Sequence, residues 1–335
     1  MMASSSPHAF PRAPRSKRVR DIALFTLLGV MVLAGLFVLA ASTGWDETII
    51  AIKRLDVLAI ITLLALSLLN YGLRGLRWHL FARTLGLPLG VLANLRHFIG
   101  GLAMTITPGR VGELVRMRWI RRETGWKFER TAPLIIIDRA ADLTAMALLM
   151  AAAILLAATK IEGAFLVAIL AIGVAAVATR TALLRVLADA AFSLTGRFPR
   201  VFVRIRRAAR ALSAFGAPGL FLAATSLGLL GWFAEGVAMH LLLQWMGADI
   251  GLWAAVAIFV FATLAGGLTG SPGGLGGAEA TMVVLLIAQG VPASIAVPTT
   301  LVIRVTTLWF AIALGAIVFP FAEKHAGKGQ DALEN

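Results

Sequence analysis

The sequence predicts an all-α integral membrane protein with six to eight transmembrane helices, two re-entrant hairpins broken at Pro-Gly, and an inverted internal repeat. Of its 335 residues, 59% are hydrophobic and only 14% are charged, whereas soluble domains have about 45–50% apolar and about 25% charged residues. The apolar excess lies in long, nearly uncharged runs, such as residues 22–41 and 292–319. Runs of that length predict membrane-spanning helices. A soluble enzyme, a disordered chain and an outer-membrane barrel are therefore excluded.

The positions of the basic residues predict the orientation of the chain. Of the 31 Lys and Arg residues, 26 lie in residues 1–20, 74–130, 180–210 and 321–335. This segregation is typical of the positive-inside rule and places those four segments, with both termini, in the cytoplasm. The net charge of +14 then faces anionic lipid headgroups, so nucleic acid is not an expected partner. The chain has no cysteine, which excludes disulfides and thiolate metal sites.

The first half begins with a basic tail, residues 1–20, before a domain over residues 21–320. We expect residues 22–41 to span outward as an uncleaved anchor rather than a cleaved signal peptide, because the run is long enough to cross the bilayer. Residues 57–73 return inward and end at an interfacial cluster that includes Arg74 and Arg77. Residues 91–107 have basic flanks on both sides and stop at Pro108-Gly109, so we interpret them as one arm of a re-entrant hairpin.

The second half follows the same plan. Residues 134–158 and 163–178 are predicted to cross and return. Residues 180–210 form an Arg-rich cytoplasmic connector containing an amphipathic helix. Residues 218–243 cross outward, 252–269 and 278–288 form a second hairpin around a Gly/Pro-rich break, and 294–319 return inside to a cytoplasmic tail at 321–335. The total is six spans plus two hairpins, or eight spans if the hairpins cross.

Three sequence blocks occur twice in the same order and predict an internal repeat. His79-Leu80 matches His240-Leu241 at an offset of 161 residues, and the Pro108-Gly109 block matches Pro272-Gly273 at an offset of 164. Arg139 matches Arg304 at an offset of 165. The repeats cover about residues 57–158 and 217–319, and the topology makes them inverted. Inverted repeats with broken hydrophobic segments are typical of transporters that bind substrate where the repeats meet.

The two breaks and the charges near them form the candidate site. A break within lipid is tolerated only against protein or a water-filled cavity, and the helix N-terminus that follows it favours an anion such as phosphate. A charge at bilayer depth costs roughly 2.5–3.5 kcal/mol on insertion scales, so each requires a partner or a role. We expect Arg139 to pair with Asp142 and Arg304 to pair with Glu279 or Glu235. Arg74 and Arg77 are interpreted first as interfacial anchors and second as phosphate ligands.

Several of these blocks together resemble the flippase-like membrane domain family, which contains the transmembrane region of lysylphosphatidylglycerol synthases, also called the multiple peptide resistance factor. The resemblance covers about residues 20–320. Its motifs, in chain order, are Arg77-Trp78, Pro108-Gly109-Arg110-Val111-Gly112-Glu113, Asp138-Arg139 with Asp142, Pro272-Gly273-Gly274-Leu275-Gly276 with Glu279, and Arg304. Asp138 stands where the family pattern has Glu, which keeps the charge. The cytoplasmic domain that would transfer an aminoacyl group is absent from these 335 residues.

The resemblance implies a protein, not an enzyme, that translocates a lipid across the bacterial inner membrane without a cofactor. The predicted partner is a membrane phospholipid with an anionic or aminoacylated headgroup, and a homo-oligomer or a separate lipid synthase remains open. Arg110, Arg139 and Arg304 would hold the phosphate. The candidate substrate-binding residues are Arg77, Pro108, Gly109, Arg110, Gly112, Glu113, Asp138, Arg139, Asp142, Ser271, Pro272, Gly273, Gly274, Gly276, Glu279 and Arg304; none is predicted to be catalytic or to bind a metal.

Two alternatives from other classes stay open at this point. An ion-coupled small-solute transporter would use a coupling carboxylate such as Glu279 or Glu235. A membrane-embedded lipid-modifying enzyme, or an accessory subunit of one, would use a carboxylate as a base or act only beside its partner enzyme. No HExxH, P-loop or GxSxG motif is present in the sequence, so hydrolase chemistry and ATP-driven transport have no support from motifs.

Overall fold

A computed structural model describes residues 55–107, 111–156 and 215–334, with isolated positions at 53, 166, 169, 173 and 186. For residues 111–113, 272 and 331–334 only the backbone is described. These segments are helices joined by short turns, and four helices are long and apolar enough to cross a membrane. The chain is therefore an all-α, multi-pass membrane protein, as its composition predicts. The first 20 residues and the predicted span at 22–41 lie outside the described residues, as do the predicted span at 163–178 and the connector at 180–210 apart from the isolated positions named above.

The first half contains four helices: α1 (Val57–Thr84), α2 (Val91–Leu102), α3 (Val111–Thr124) and α4 (Phe128–Leu156). Asp56 caps α1 by accepting a hydrogen bond from the Ala59 N–H at 2.7 Å, which satisfies one of the free amides of the first turn. Helices α2 and α3 form the first hairpin, with the predicted break between them. The basic segment after the break is therefore the second arm of this hairpin.

The second half contains α5 (Pro218–Trp245), α6 (Leu252–Leu268), a short 3₁₀ turn (Pro272–Gly274), α7 (Gly277–Ala288) and a long last helix. Pro218 starts α5 at the position where its missing N–H costs nothing. The last helix consists of α8 (Ala293–Arg304), a π-helical turn (Val305–Trp309) and α9 (Phe310–Glu334). Helices α6 and α7 form the second hairpin around the Pro-Gly-Gly turn.

The two halves have the same order of elements: a long helix, two short helices separated by a break, and a second long helix. The paired starting residues are Val57 with Pro218, Val91 with Leu252, Val111 with Gly277 and Phe128 with Ala293. Their offset is constant before the break and larger after it, as the three repeated sequence blocks predict. The inverted orientation of the repeats remains a prediction.

The halves pack against each other mainly through α1 and α5, and small residues allow the close approach that is typical of membrane helices. A Cβ added to Gly231 would lie 2.9 Å from the Oδ1 atom of Asn70. A Cβ added to Gly228 would lie 3.0 Å from an Arg77 guanidinium nitrogen and 2.9 Å from the Cβ of Ala145. Both glycines are therefore needed where α5 meets polar side chains of α1.

Helix α9 extends beyond the predicted membrane span and covers the first hairpin. Residues 321–334, predicted as a tail, continue the helix. Trp119 of α3 is buried against Ala322 and Ala326 and stacks edge-to-face on Phe319, with ring centroids 5.1 Å apart. The first hairpin is therefore held between α1 and the last helix of the other half.

Candidate functional site

A cavity of about 620 Å³, lined by charged and apolar side chains, lies between the two halves. Its volume falls within the roughly 300–1,000 Å³ of small-ligand sites. The tips of both hairpins form part of its wall, and they meet: a Cβ built on Gly273 would lie 3.2 Å from the side chain of Ile106. The charged side chains that line the cavity are Arg74, Arg116, Asp138, Arg139, Asp142, Glu235 and Arg304.

On the first-half side, two carboxylates of α4 form ion pairs with arginines. Asp142 accepts from Arg74 and from Arg77, at 2.8 Å and 2.7 Å between the charged atoms, and Asp138 accepts from Arg77 at 2.7 Å. Arg116 and Arg139 are more distant, with a nitrogen 4.0 Å from a carboxylate oxygen of Asp138 and of Asp142 respectively. The predicted pairing of Arg139 with Asp142 is thus present only at the outer limit of an ion pair.

Arg77 does not line the cavity, in contrast to its predicted role as a headgroup ligand. Its side chain is 0% exposed and donates through one nitrogen to both Asp138 and Asp142. It lies behind the cavity wall and fixes the two carboxylates. The helix also continues past the predicted end of the span at Leu73, because α1 ends at Thr84. The carboxylates of α4 neutralise Arg74 and Arg77, so both side chains are largely buried within the fold.

Aromatic rings hold two of the cavity arginines, Arg74 and Arg116, in place. The Arg74 guanidinium lies 4.8 Å from the ring centre of Trp232, and that of Arg116 lies 4.5 Å from Phe98. These distances are within the range of cation–π attraction. Gly101 makes room for Arg116, because a Cβ at this position would lie 2.9 Å from Arg116 Cγ. The arginines are thereby oriented before any ligand binds.

On the second-half side, Glu279 connects the break to the last helix. Its Oε2 atom accepts from the Gly276 N–H at 2.7 Å, and its Oε1 atom accepts from Arg304 Nε at 2.6 Å. Arg304 also donates to the Gly273 carbonyl at 3.1 Å. Of the two predicted partners of Arg304, the one in contact is Glu279. One N–H of the α7 N-terminus, predicted to bind phosphate, is therefore occupied by the chain's own carboxylate.

A π-helical turn follows Arg304, and two of its residues, Thr307 and Leu308, line the cavity. Such turns occur often at functional sites because they release carbonyl groups from the regular helix pattern. The Tyr71 hydroxyl donates to the Thr307 carbonyl within this turn. Tyr71 and Thr307 both line the cavity. Helix α1 of the first half is thereby hydrogen-bonded to the last helix of the second half.

The structure brings together only part of the predicted site. Asp138, Arg139, Asp142, Ser271, Gly273, Gly274 and Arg304 line the cavity, and Glu279 lies behind Arg304. Gly276 is exposed, and of Pro272 only the backbone is described. Pro108, Gly109 and Arg110 lie outside the described residues. Gly112 and Glu113 are in the first turn of α3, where only the backbone is described.

Three charged residues of the cavity were missing from the candidate list: Arg74, which was interpreted as a phosphate ligand only in second place, Arg116 and Glu235. The repeat contained a signal for two of them. At the offset of the His79 and His240 blocks, Arg74 of α1 aligns with Glu235 of α5, so equivalent positions carry opposite charges and both face the cavity. Arg116 had no such signal, because its basic neighbours made it look like a cytoplasmic residue.

A second network of charged side chains connects α2 and α3 of the first hairpin near the end of α3. Glu123 accepts from Arg96 at 2.8 Å and lies 3.0 Å from the Nε2 atom of His97, both on α2. Burial acts to raise the pKa of Glu123, but the hydrogen bond to His97 and the charges of His97 and Arg96 outweigh it and hold the pKa below its usual value. Glu323 of α9 accepts from Trp119 at 2.7 Å and from Arg122 at 2.5 Å. These contacts connect both hairpin arms and α9.

The described residues contain no group of three or more His, Asp or Glu side chains placed to hold a metal ion. Charged and hydroxyl side chains of the described residues supply the polar ligand groups of the cavity. In these segments, the five arginines at the cavity and behind it face four carboxylates: Asp138, Asp142, Glu235 and Glu279. With every group ionised, the cluster has an excess of one positive charge, which favours an anion.

Fold and site together define a polytopic α-helical membrane protein with a charged cavity between two similar halves. The chain belongs to the family described as the lysylphosphatidylglycerol synthase TM region, whose family model matches residues 26–315. That match confirms the resemblance drawn from the repeated motifs. It associates the protein with a membrane lipid.

Two curated relatives, both named "UPF0104 membrane protein" and both from Methanothermobacter thermautotrophicus, are similar to this chain. One is 25% identical over 330 residues, covering 89% of this chain and 95% of the relative. The other is 35% identical over 109 residues, which is 32% of each chain, so this match spans only about a third of that relative's length.

Proposed function

We propose that this protein translocates a lipid with a phosphate headgroup across the membrane in which it lies, and that it performs no covalent chemistry on that lipid. The observation that carries the proposal is the placement of Arg139 and Arg304. They occupy equivalent positions of the two repeats, and both line the same cavity. The headgroup would enter this cavity while the acyl chains stay in the bilayer.

Arg139 is the first contact for the headgroup in this mechanism. Its side chain is 41% exposed and lines the cavity, so it is accessible to a phosphate that enters the cavity. Arg304 is buried and fixed by Glu279, so it provides a rigid positive charge on the opposite side. A phosphate between the two would be held by charge-assisted hydrogen bonds, which contribute roughly 1.5–3 kcal/mol each.

The location assigned to the protein is part of the same proposal. The basic segments defined by the sequence would face the cytoplasm of a bacterial cell, with both termini inside and the protein in the inner membrane. The cavity then lies between a basic side and a side with few charges. Anionic lipids that collect at the basic side would have the higher local concentration near the cavity.

The test is lipid flipping in proteoliposomes. Purified protein is reconstituted with fluorescent phosphatidylglycerol, and the fraction accessible to a membrane-impermeant quencher is followed over time. We expect Arg139→Ala to lower the rate at least about ten-fold, given the energy of one charge-assisted hydrogen bond. Arg83→Ala is the matched control, because Arg83 is an exposed arginine in the last turn of α1. Equal rates for wild type and empty vesicles would overturn the proposal.

Two further experiments distinguish lipid transport from the alternative functions. Uptake of radiolabelled glycerol phosphate tests whether the cavity takes the free phosphate compound, as a small-solute transporter would. Incubation of detergent-solubilised protein with phosphatidylglycerol, followed by chromatography, tests for a modified lipid, as an enzyme would produce. Uptake without flipping, or product formation, would replace the proposed function by the corresponding alternative.

A further inference from the structure

Glu235 differs from the other carboxylates of the cavity because it lacks a positive partner. It lines the cavity from α5 and is only 4% exposed. Asp138, Asp142 and Glu279 each have an arginine nitrogen within 2.8 Å. Among the described residues, no Lys, Arg or His forms an ion pair with Glu235. An ionised carboxylate in such surroundings is expensive unless it binds a cation or a proton.

The charged and titratable groups that face Glu235 come from three of the four elements packed against α5. They are Tyr71 and Arg74 on α1, Asp142 on α4 and Arg304 on α8. Helix α6 carries no titratable side chain. Arg74 and Arg304 already neutralise Asp142 and Glu279, so their charges give Glu235 little compensation.

The nearest polar side chain suits a neutral carboxyl group. Asn70 of α1 faces Glu235, and both polar atoms of its amide are buried without a hydrogen-bond partner of normal geometry. An ionised carboxylate can only accept, which leaves the Asn70 oxygen unsatisfied. A protonated carboxyl can donate to the amide oxygen and accept from the amide nitrogen. Gly231 provides the space for this amide, since a Cβ there would lie 2.9 Å from it.

We propose that Glu235 is a proton-binding site whose protonation is coupled to the binding of a phosphate headgroup in the same cavity. The proton comes from hydronium of the aqueous phase, adds to one carboxylate oxygen, leaves the carboxyl group neutral and releases water. Neutralising Glu235 raises the positive excess of the cluster from one to two charges, so an anion binds more tightly. By linkage, the bound anion raises the proton affinity of Glu235 to the same degree. The coupling rests on the proposed function, whereas the proton site does not.

The proton site is tested by infrared spectroscopy of the full chain in lipid. We expect a carbonyl stretching band of a buried protonated carboxyl group near neutral pH, and its loss in Glu235→Gln. Glu129→Gln, at the exposed start of α4, is the control and should retain the band. A band unchanged in Glu235→Gln, or no such band in the wild type, overturns the proton site. If Glu235→Gln does not fold, Glu235→Asp should shift the band.

The coupling is tested by the affinity for short-chain phosphatidylglycerol as a function of pH, with inorganic phosphate as a second probe. Uptake of one proton per headgroup makes the wild-type Kd rise by up to about ten-fold per pH unit above the proton-site midpoint. Glu235→Gln, which mimics the neutral state, should keep its low-pH affinity throughout. An unchanged pH slope in this variant overturns the coupling.

The pattern of results also separates this inference from the function on which it rests. If the band is lost in Glu235→Gln but neither probe binds to the wild type, the proton site stands while the coupling and the proposed lipid function fail. Binding of inorganic phosphate without binding of the lipid would assign the coupled anion to a free phosphate compound. Dependence on Na⁺ instead of pH would overturn the proton as the ligand.

Discussion

Arg304 and Glu279 form a buried ion pair across the break of the second hairpin, with Arg304 Nε donating to Glu279 Oε1 at 2.6 Å. The other oxygen of Glu279 accepts from the Gly276 N–H, which begins α7. One carboxylate therefore fixes both the helix that follows the break and the arginine that faces the cavity. The pair explains how a Gly-rich break can keep a defined shape inside a membrane protein.

Removing one member of this pair should destabilise the protein strongly. Glu279→Ala leaves the Arg304 guanidinium buried without its counter-charge, and such changes cost about 3–5 kcal/mol. Thermal unfolding in detergent should show a clear loss of stability for Glu279→Ala. The double variant Glu279→Leu with Arg304→Met should recover most of that stability, because an apolar pair of similar volume replaces the ion pair. A single variant as stable as the wild type would contradict this assignment.

The same double variant separates folding from transport. It should remain folded but should flip fluorescent phosphatidylglycerol at no more than about a tenth of the wild-type rate, because one charge-assisted contact to the phosphate is lost. Gel filtration and thermal unfolding establish the folded state before the flipping assay. Full flipping by a folded double variant would remove Arg304 from the headgroup site.

Arg77 should affect stability and not ligand affinity. Its completely buried guanidinium bridges Asp138 and Asp142, so Arg77→Ala leaves two carboxylates with less compensation and should cost about 3–5 kcal/mol. Lysine should not restore stability, because a point charge cannot reproduce the planar guanidinium that reaches both carboxylates. Arg83→Ala, an exposed position on the same helix, should change stability by no more than about 0.5 kcal/mol. The check is chemical denaturation in mixed micelles.

The helices and their order could be predicted from the sequence, because the length of each hydrophobic run and the residues of each repeated block can be recognised without knowing the tertiary contacts. The second hairpin, for example, follows from two apolar runs on either side of Pro272-Gly273. The end of α1 could not be predicted in this way. Arg74 and Arg77 look like interfacial residues until Asp138 and Asp142, far along the chain, are known to neutralise them.

Residues of the site could be predicted only where a charged residue lies within an apolar run of the sequence. Arg304, Glu279 and Asp142 were found because each lies in such a run. Arg116 lies among other basic residues, and only the packing of α3 against α2 and α9 reveals that it faces the cavity. Glu235 was seen only as a partner for Arg304, because its lack of an ion pair is a property of three-dimensional packing.

Gly101 should be required for the position of Arg116. A larger side chain at this position would collide with Arg116, so Gly101→Val should displace the guanidinium from Phe98 and reduce flipping of phosphatidylglycerol. Gly72→Ala is the control, because a Cβ at this exposed helical glycine would meet nothing within 4 Å. An unchanged flipping rate in a folded Gly101→Val protein would show that the placement of Arg116 does not matter.

Acid should loosen the first hairpin through Glu123. Its pKa is lowered in the folded protein because His97 and Arg96 stabilise the carboxylate more than burial opposes it. Its contribution to stability is therefore fully present above its ordinary pKa of about 4.3 and is lost as the pH falls through the lowered value. The melting temperature of the wild type should fall between pH 6 and the lowest pH that the protein tolerates. The fall should be smaller for Glu123→Gln, because this side chain has no charge to lose. Identical acid sensitivity in the two proteins would mean that other carboxylates control acid unfolding and that the contact between α2 and α3 does not depend on this charge.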